Sequence, residues 1–278
     1  MSSSPSKPGI GKTIQLSIQQ GEGSTVLKLF LNPQEFTQAL MLDAFSQGLM
    51  YEPEVVRWFP QFLQPGDRMI DIGAHIGYYT LIAAMLVGET GMVVSCELET
   101  SNYKRILHNV AINHFQQVQV IHGAIGDTQQ ETQFFFNLDN DGGHALWNVG
   151  DHPFNTKSQD NPFVQTIPMT TLDALVQQHG LDAIKLIKID TEGAEHLILR
   201  GGQHTLETLR PPFVIVEINA FGLQKLGSSQ MQLRSFMASL GYDSYLLDGR
   251  SEQLIKLAAH QAYDHGLFNL LFTHQVQF

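Results

Sequence analysis

The chain of 278 residues is 43% hydrophobic and 15% charged, a globular balance long enough for one decorated α/β domain or two small ones. Its formal net charge of −11 argues against a nucleic-acid partner, because binding phosphates takes a basic face. The single cysteine, Cys96, excludes an intrachain disulfide framework and suits a reducing compartment.

The opening MSSSPSKPG lacks an apolar signal core and reads as a loose polar tail. Gly-Lys-Thr at 11–13 resembles the end of a Walker loop, but Ser6 stands where its first glycine belongs and no apolar strand precedes it. TIQLSI (13–18) and TVLKLFL (25–31) alternate polar and apolar residues around QQGEGS, as a hairpin does. QEFTQALMLDAFSQG reads as a helix, and EPEVVRWFPQFL as another, with Pro53 at a favoured early position. Residues 1–50 are therefore expected to form a tail, hairpin and helix extension to a main domain at 51–278.

Strands and helices then alternate. RMIDI (68–72) is a strand, GYYTLIAAML a helix, MVVSCE a strand ending at Glu97, SNYKRILHNVAIN a helix and VQVIHGA (118–124) a strand. Cys96, inside MVVSC, reads as an inert buried thiol. ETQFFFN precedes an aperiodic insertion at about 138–162, rich in Asp, Asn, Gly and Pro. VQTIPM and the helical TTLDALVQQHG follow it. AIKLIKID (183–190) is an apolar strand, AEHLILRGGQHTLETL a helix, FVIVEIN (213–219) an apolar strand and SSQMQLRSFMASLG a helix. YDSYLLD and LFNLLFT close the chain as strands, expected to make an antiparallel edge pair. No run approaches the ~20 apolar residues of a membrane span, so the expected location is the cytoplasm.

Apolar strands alternating with helices predict a mostly parallel sheet covered on both faces. Ligands of such sheets sit beyond the carboxyl ends of the strands. That selects Asp71 to Tyr78, Glu97, the 122–127 loop, Asp190 to Glu195, and Glu217 to Asn219. The turn DIGAHIGYYT is not a dinucleotide loop: aligned on G-x-G-x-x-G it gives Gly73, His75 and Tyr78, and His75 obstructs the approach of a pyrophosphate. A nicotinamide oxidoreductase is disfavoured on that ground. What remains is a glycine turn after one strand and an acid, Glu97, at the end of the next, placed to accept two ribose hydroxyls. A nucleoside without a pyrophosphate fits, and S-adenosylmethionine, with its positive charge, suits an acidic pocket.

At these residues the sequence resembles the FkbM family of S-adenosylmethionine-dependent methyltransferases, within the class I Rossmann-like fold. MIDIGAHIGYYTLIAA (69–84), VIHGAIGD (120–127), TTLDAL with IKLIKIDTEGAEHLILRGG (170–202) and FVIVEIN carry the likeness. The resemblance implies a seven-stranded sheet ordered 3-2-1-4-5-7-6 with strand 7 antiparallel, and O-methylation of a sugar or secondary-metabolite hydroxyl with S-adenosyl-L-homocysteine as product. It implies that Asp71, Gly73, Ala74, His75, Gly77 and Tyr78 form the first cofactor motif, with Glu97 and Leu98 at the ribose. Gly123 and Ala124 match the adenine position, where Ala124 replaces a frequent Asp and leaves Asp127 as a weaker candidate. Family members often carry Asn where His75 stands, so His75 either holds the turn or has a further role.

Methyl transfer needs an acceptor oxygen about 3 Å from the methyl carbon and gains from a base that takes its proton. Asp190, Glu192 and Glu195 are the candidate bases, and Asp190 is equally a candidate to bind the cofactor by holding its methionine ammonium. Lys188, two residues before Asp190, shares its side of the strand and is expected to pair with Asp190 or Glu217. Acids also favour helix starts, which accounts for one of Glu192 and Glu195 without chemistry. Glu217, Asn219, His144 and Trp147 are candidate acceptor contacts. NLDNDGGHALWN (137–148) approaches a calcium loop, but Asn137 and Asn148 replace its terminal acids, so it reads as a turn-rich lid with no metal. The expected partner is a small-molecule or glycan acceptor, and the first fifty residues either cover the pocket or pair with another subunit. N- or peptide-directed methylation and a non-catalytic nucleoside-binding module are the rival readings.

Overall fold

A computed structural model describes residues 11–20, 23–249, 253–258, 261–263 and 265–275. The Asp71–Glu97 half of the main sheet follows the expected alternation. β3 (Arg68–Ile72) leads into α4 (Tyr78–Val87), β4 (Met92–Glu97) into α5 (Thr100–Ile112), and β5 (Val118–His122) forms one edge. The other half comprises β9 (Leu186–Ile189), β10 (Phe213–Asn219), β11 (Asp243–Leu247), β12 (Leu254–Lys256) and β13 (Leu267–Thr273). Their order is β12-β11-β13-β10-β9-β3-β4-β5, with β13 antiparallel to both β10 and β11. This is the expected 3-2-1-4-5-7-6 arrangement with one addition: β12 makes an eighth strand on the outer edge.

Strand alternation sorts the core into two layers. Met69, Leu186, Phe213, Ile215 and Leu271 face one cluster, made with α4 and its neighbours, while Ile70, Ile187, Val214, Val216 and Leu270 face the other. Asp71, Lys188, Glu217 and Asn269 follow the parity of the first set. Four polar side chains therefore sit on one face, toward the strand ends, because the apolar residues of the same strands fix the register.

Several elements differ from the sequence reading. EPEVVRWFPQFL forms two helices, α2 (Pro53–Val56) and α3 (Phe59–Phe62), the second carrying Pro60 in its first turn. The segment VQVIHGA is not one strand: β5 stops at His122, and β6 (Ala124–Gly126) enters a second sheet with β7 (Gln130–Phe136) and β8 (Phe163–Thr171), ordered β6-β8-β7. The insertion holds a 3-10 turn (Val149–Asp151) and α6 (Thr156–Asp160). AEHLILRGGQHTLETL breaks at Gly202 into α8 (Glu195–Gly201) and α9 (Gln203–Thr208), and the unforeseen α10 (Ala220–Lys225) follows β10. Lys12 and Thr13, in the Walker-like triplet, belong to strand β1 (Lys12–Gln20), while Ser6 lies outside the described residues.

β1 pairs with β2 (Gly23–Leu31) as expected, and α1 spans Phe36–Ser46. The buried Leu16, Leu27, Leu29 and Leu31 of this hairpin join the α4-side core. Asn109 of α5 ties it to the main domain: Oδ1 accepts from the Phe30 amide at 2.8 Å and Nδ2 donates to the Ile76 carbonyl at 2.9 Å. Asn109 is fully buried, so each bond removes the cost of an orphaned amide. Among the described residues no helix is long and apolar enough to cross a membrane.

Candidate active site

The turn between β3 and α4 is held against β4 and β9. The amides of Gly73 and Ala74 donate to the Cys96 carbonyl at 3.0 and 3.1 Å. Gly73 has φ +78°, and a Cβ there would lie 1.7 Å from the Asp190 carbonyl oxygen, so two strand ends converge where only glycine fits. His75 has φ +54°, and its amide donates to Glu97 Oε2 at 2.8 Å. The other Glu97 oxygen accepts from the Glu99 amide at 2.8 Å. Glu97 is thus aimed by two backbone donors, and burial still pushes its pKa up to about 7. Leu98 and Ala124 pack in one small apolar cluster with Phe134 and Met169, next to Gly123, whose amide donates to the Glu97 carbonyl. A buried carboxylate and an apolar cluster thus stand together at the end of β4.

Asp71 does not reach the open side of this turn. It is fully buried, its Oδ2 accepts from Thr80 Oγ1 at 2.6 Å, and its Oδ1 has no partner. Asp127 lies against α8: its Cα would be 3.0 Å from a Cβ on Gly201, and its charge acts on His196. Both stand apart from the cleft that Gly73, Ala74, His75 and Tyr78 line. Gly77 begins α4 at φ +88° and packs on Ile106.

Beyond the turn the same cleft, about 130 Å³, is lined by Glu52, Asp190, Glu192 and Glu217. Lys188 Nζ lies 2.6 Å from Asp190 Oδ2 and 4.2 Å from the centre of the Tyr79 ring. Burial opposes the lysine charge, but the surrounding carboxylates, Asp190 first, hold its pKa above the ordinary value. Burial likewise opposes the Asp190 charge, and Lys188 outweighs it, so Asp190 is ionised. Burial and then the Asp190 charge push Glu217 well up; it keeps its proton and donates to Asp190. Glu52, which the sequence reading missed, accepts from the Tyr79 hydroxyl, and burial followed by Asp190 raises its pKa. Of the two partners expected for Lys188, the structure pairs it with Asp190, which then links it to Glu217.

Glu192 sits at φ +56° in a turn that only a close approach allows, since a Cβ on Gly193 would lie 2.6 Å from Gly222 Cα. Its carboxylate accepts from Asn219 Nδ2, and Trp147 Nε1 donates to its carbonyl at 2.6 Å. Burial, then the nearby Asp190, pushes Glu192 up to about 8. Glu195 is placed differently: its Oε1 accepts from the Gly193 amide at 2.8 Å and the Thr191 hydroxyl at 3.1 Å, which ties the turn before α8 to the helix start, away from the cleft lining. Burial raises its pKa to about 7. Asn219 Oδ1 caps α10 through the Gly222 amide at 2.9 Å. Trp147 and Asn219 therefore position the Glu192 turn rather than line the cleft.

His144 is turned away as well. Its Nδ1 accepts from the Asn137 amide at 3.0 Å, it packs on Phe136, and burial lowers its pKa to about 3, so it is a neutral structural imidazole. In the calcium-like stretch, Asn137, Asp139 and Asn140 accept from backbone amides of their own loop and of α6. Asp141 is the exception. It accepts from His75 Nε2 at 2.7 Å, the Thr37 amide at 2.7 Å and Gln38 Nε2 at 2.7 Å. The loop, the first turn of α1 and the cofactor turn are thus joined at one carboxylate. His75 both holds the turn and anchors what covers it, and Thr37 from the N-terminal extension lines the cleft.

The methyltransferase FkbM domain model matches residues 71–244, more than half of the chain. No curated protein matches it. Among solved structures, a methyltransferase FkbM of Methylobacillus flagellatus KT is 15% identical with a TM-score of 0.46, over 85% of this chain and 59% of the other. This chain therefore spans less than two thirds of that protein. A SAM-dependent O-methyltransferase of Thermotoga maritima is 12% identical with a TM-score of 0.42, over 95% and 78% of the two chains. A SAM-dependent methyltransferase of Aquifex aeolicus is 12% identical with a TM-score of 0.41, over 81% and 90%. On the family match, joined to the 3-2-1-4-5-7-6 sheet, the chain belongs to the FkbM family of S-adenosylmethionine-dependent methyltransferases.

Proposed function

We propose that this chain transfers a methyl group from S-adenosylmethionine to a hydroxyl oxygen of a sugar or small metabolite, with Glu192 receiving the proton. The carrying observation is one cleft whose turn is bonded to the buried Glu97 through the His75 amide, and whose other walls include Glu192 and Asp190, the latter paired with Lys188 beneath it. When bound, S-adenosylmethionine supplies a methyl carbon activated by a sulfonium.

Glu97 accepts ribose hydroxyls on lone pairs that its two backbone donors leave open. Leu98 and Ala124 supply an apolar face for adenine. Asp190, kept ionised by Lys188, complements a positive group in the cleft. Glu192, with a pKa of about 8, is matched to proton transfer near neutral pH, and Asn219 fixes its orientation. As the acceptor oxygen forms its bond to carbon, the carbon–sulfur bond breaks, its electron pair stays on sulfur and the hydroxyl proton passes to Glu192. Asp190 remains the alternative receiver; Glu195, buried and bonded to the turn before α8, is the weakest of the three candidates.

Calorimetric titration with S-adenosylmethionine, S-adenosylhomocysteine and NAD tests the donor, and labelled methyl incorporation into matched hydroxyl and amine acceptors tests the atom methylated. Binding of the first two without the third, and ether products, are expected. NAD binding alone, or labelled amines alone, would sink the reading.

A further inference from the structure

A second cavity, of about 330 Å³, adjoins the cleft and shares Glu52, Glu217 and Leu267 with it. That volume lies within the ~300–1,000 Å³ of small-molecule sites. Its floor is Asn269, paired across the sheet with Glu217. Asn269 is 6% exposed, and its Oδ1 is buried with no hydrogen-bond partner. An orphaned acceptor of this kind is costly, and a donor brought by a ligand satisfies it.

Besides leucines and aromatic rings, the rest of the lining carries several acids. Glu54 and Asp248 face the cavity as half-buried acids, and among the described residues no lysine or arginine lines it. Tyr263 adds a ring whose backbone is pinned by Gln230, at 3.1 Å through the amide and 2.8 Å through the carbonyl. Phe268 backs this ring at 4.9 Å and His265 adjoins it at 4.7 Å. Carboxylates and an amide oxygen ask for many donors, and a fixed aromatic face suits the C–H face of a saturated ring. An anionic ring would meet like charge at Glu54 and Asp248.

Resting on the reading of the neighbouring cleft as the methyl-donor site, we propose that this cavity holds the methyl acceptor. Its occupant is a polyhydroxylated ring carrying a protonated amine, of the amino-sugar or aminocyclitol class. Asn269 and Glu52 take its hydroxyls, while Glu54 and Asp248 take its ammonium. A hydroxyl directed past Glu217 then enters the cleft beside Glu192. The chemistry is that of the neighbouring site, with the oxygen of this ring forming the new carbon–oxygen bond.

Ligand-observed NMR titration of the full chain, with and without S-adenosylhomocysteine, uses glucosamine, glucose and glucuronate as probes. Glucosamine is expected to bind about tenfold more tightly than glucose, and glucuronate not measurably. The double variant E54Q/D248N should abolish that preference while S-adenosylhomocysteine affinity stays within about twofold, because neither residue lines the cleft. Asn269→Leu should weaken glucosamine and glucose together. Glucuronate binding as well as glucosamine, or a preference that survives the double variant, overturns the proposal. S-adenosylhomocysteine binding without any glucosamine binding overturns the acceptor assignment alone. Glucosamine binding, lost in the double variant, without S-adenosylhomocysteine binding overturns the donor reading and keeps the cavity as a site. Binding of neither removes both.

Discussion

Glu97 receives two backbone N–H groups, whereas Asp190, Glu52, Asp71 and Glu217 crowd around one lysine, with Glu192 next to Asp190. The first arrangement fixes a carboxylate in one place with donors that cannot move, which suits holding a ligand. The second holds several acids with one positive charge, so protons are distributed among them and some keep theirs near neutrality. In the proposed reading one side grips the donor and the other moves the proton. Replacing residues on each side should therefore separate affinity from turnover.

The largest effect is expected on the crowded side. Glu192→Gln keeps the shape and the Asn219 contact but cannot take a proton, so kcat should fall by about 10²–10⁴ with S-adenosylhomocysteine affinity little changed. Steady-state kinetics with calorimetry on the same variant checks it; unchanged kcat transfers the role to Asp190. Lys188→Met comes next. It strips the charge that keeps Asp190 ionised inside the fold, and breaking a buried pair in this way costs about 3–5 kcal/mol. Urea unfolding at neutral pH should register that loss, and lowering the pH should shrink it as Asp190 takes up a proton. A loss that is the same at both pH values would mean that the lysine packs rather than pairs.

On the gripping side, Glu97→Ala should weaken S-adenosylhomocysteine by about 10–100-fold, the worth of hydrogen bonds to one charged group, and leave kcat at saturation largely intact. A kcat collapse with intact affinity would reverse the roles assigned to the two sides.

How far the sequence reveals this division depends on chain distance. The cofactor turn, Glu97, and the Lys188–Asp190 pairing are local or follow from alternation along one strand, and both kinds of signal survive in a bare sequence. Asn269 left a trace too, a lone polar residue inside LFNLLFT on the parity of Leu271, which passed unread. Glu52 left none. It stands 19 residues before Asp71 and reaches the cleft because Val55 and Phe59 are buried beneath α4, with the Phe59 and Tyr79 rings stacked at 5.4 Å. The Asp141 junction is further still, 66 residues from His75 and 104 from Thr37. Such meetings are decided by packing of whole elements, and no periodicity encodes them. The second sheet escaped for a related reason: the chain leaves β5 at Gly123, and one residue of turn inside an apolar run looks like continuing strand.

One comparison needs no substitution. Glu97, Glu195 and Glu192 have pKa values raised to about 7, 7 and 8, against 4.5 for the same group in the unfolded chain. Between those limits the folded protein binds more protons than the unfolded one, so its stability falls as pH rises. Asp190 and Asp141 are shifted downward, Asp141 to about 2, and their contribution is lost only as pH drops below the ordinary aspartate value of 3.8. The ligand-free protein should therefore be most stable near pH 5 and melt at a lower temperature by pH 8. S-adenosylhomocysteine, bringing ribose donors to ionised Glu97, should flatten that slope. Thermal unfolding at several pH values, with and without it, separates the two sides once more: the ligand corrects the part of the slope that belongs to Glu97 and leaves the part that belongs to Glu195. Stability that rises from pH 5 to 8 would mean that these carboxylates ionise freely inside the fold, and with that the case for Glu192 as the proton acceptor would fail.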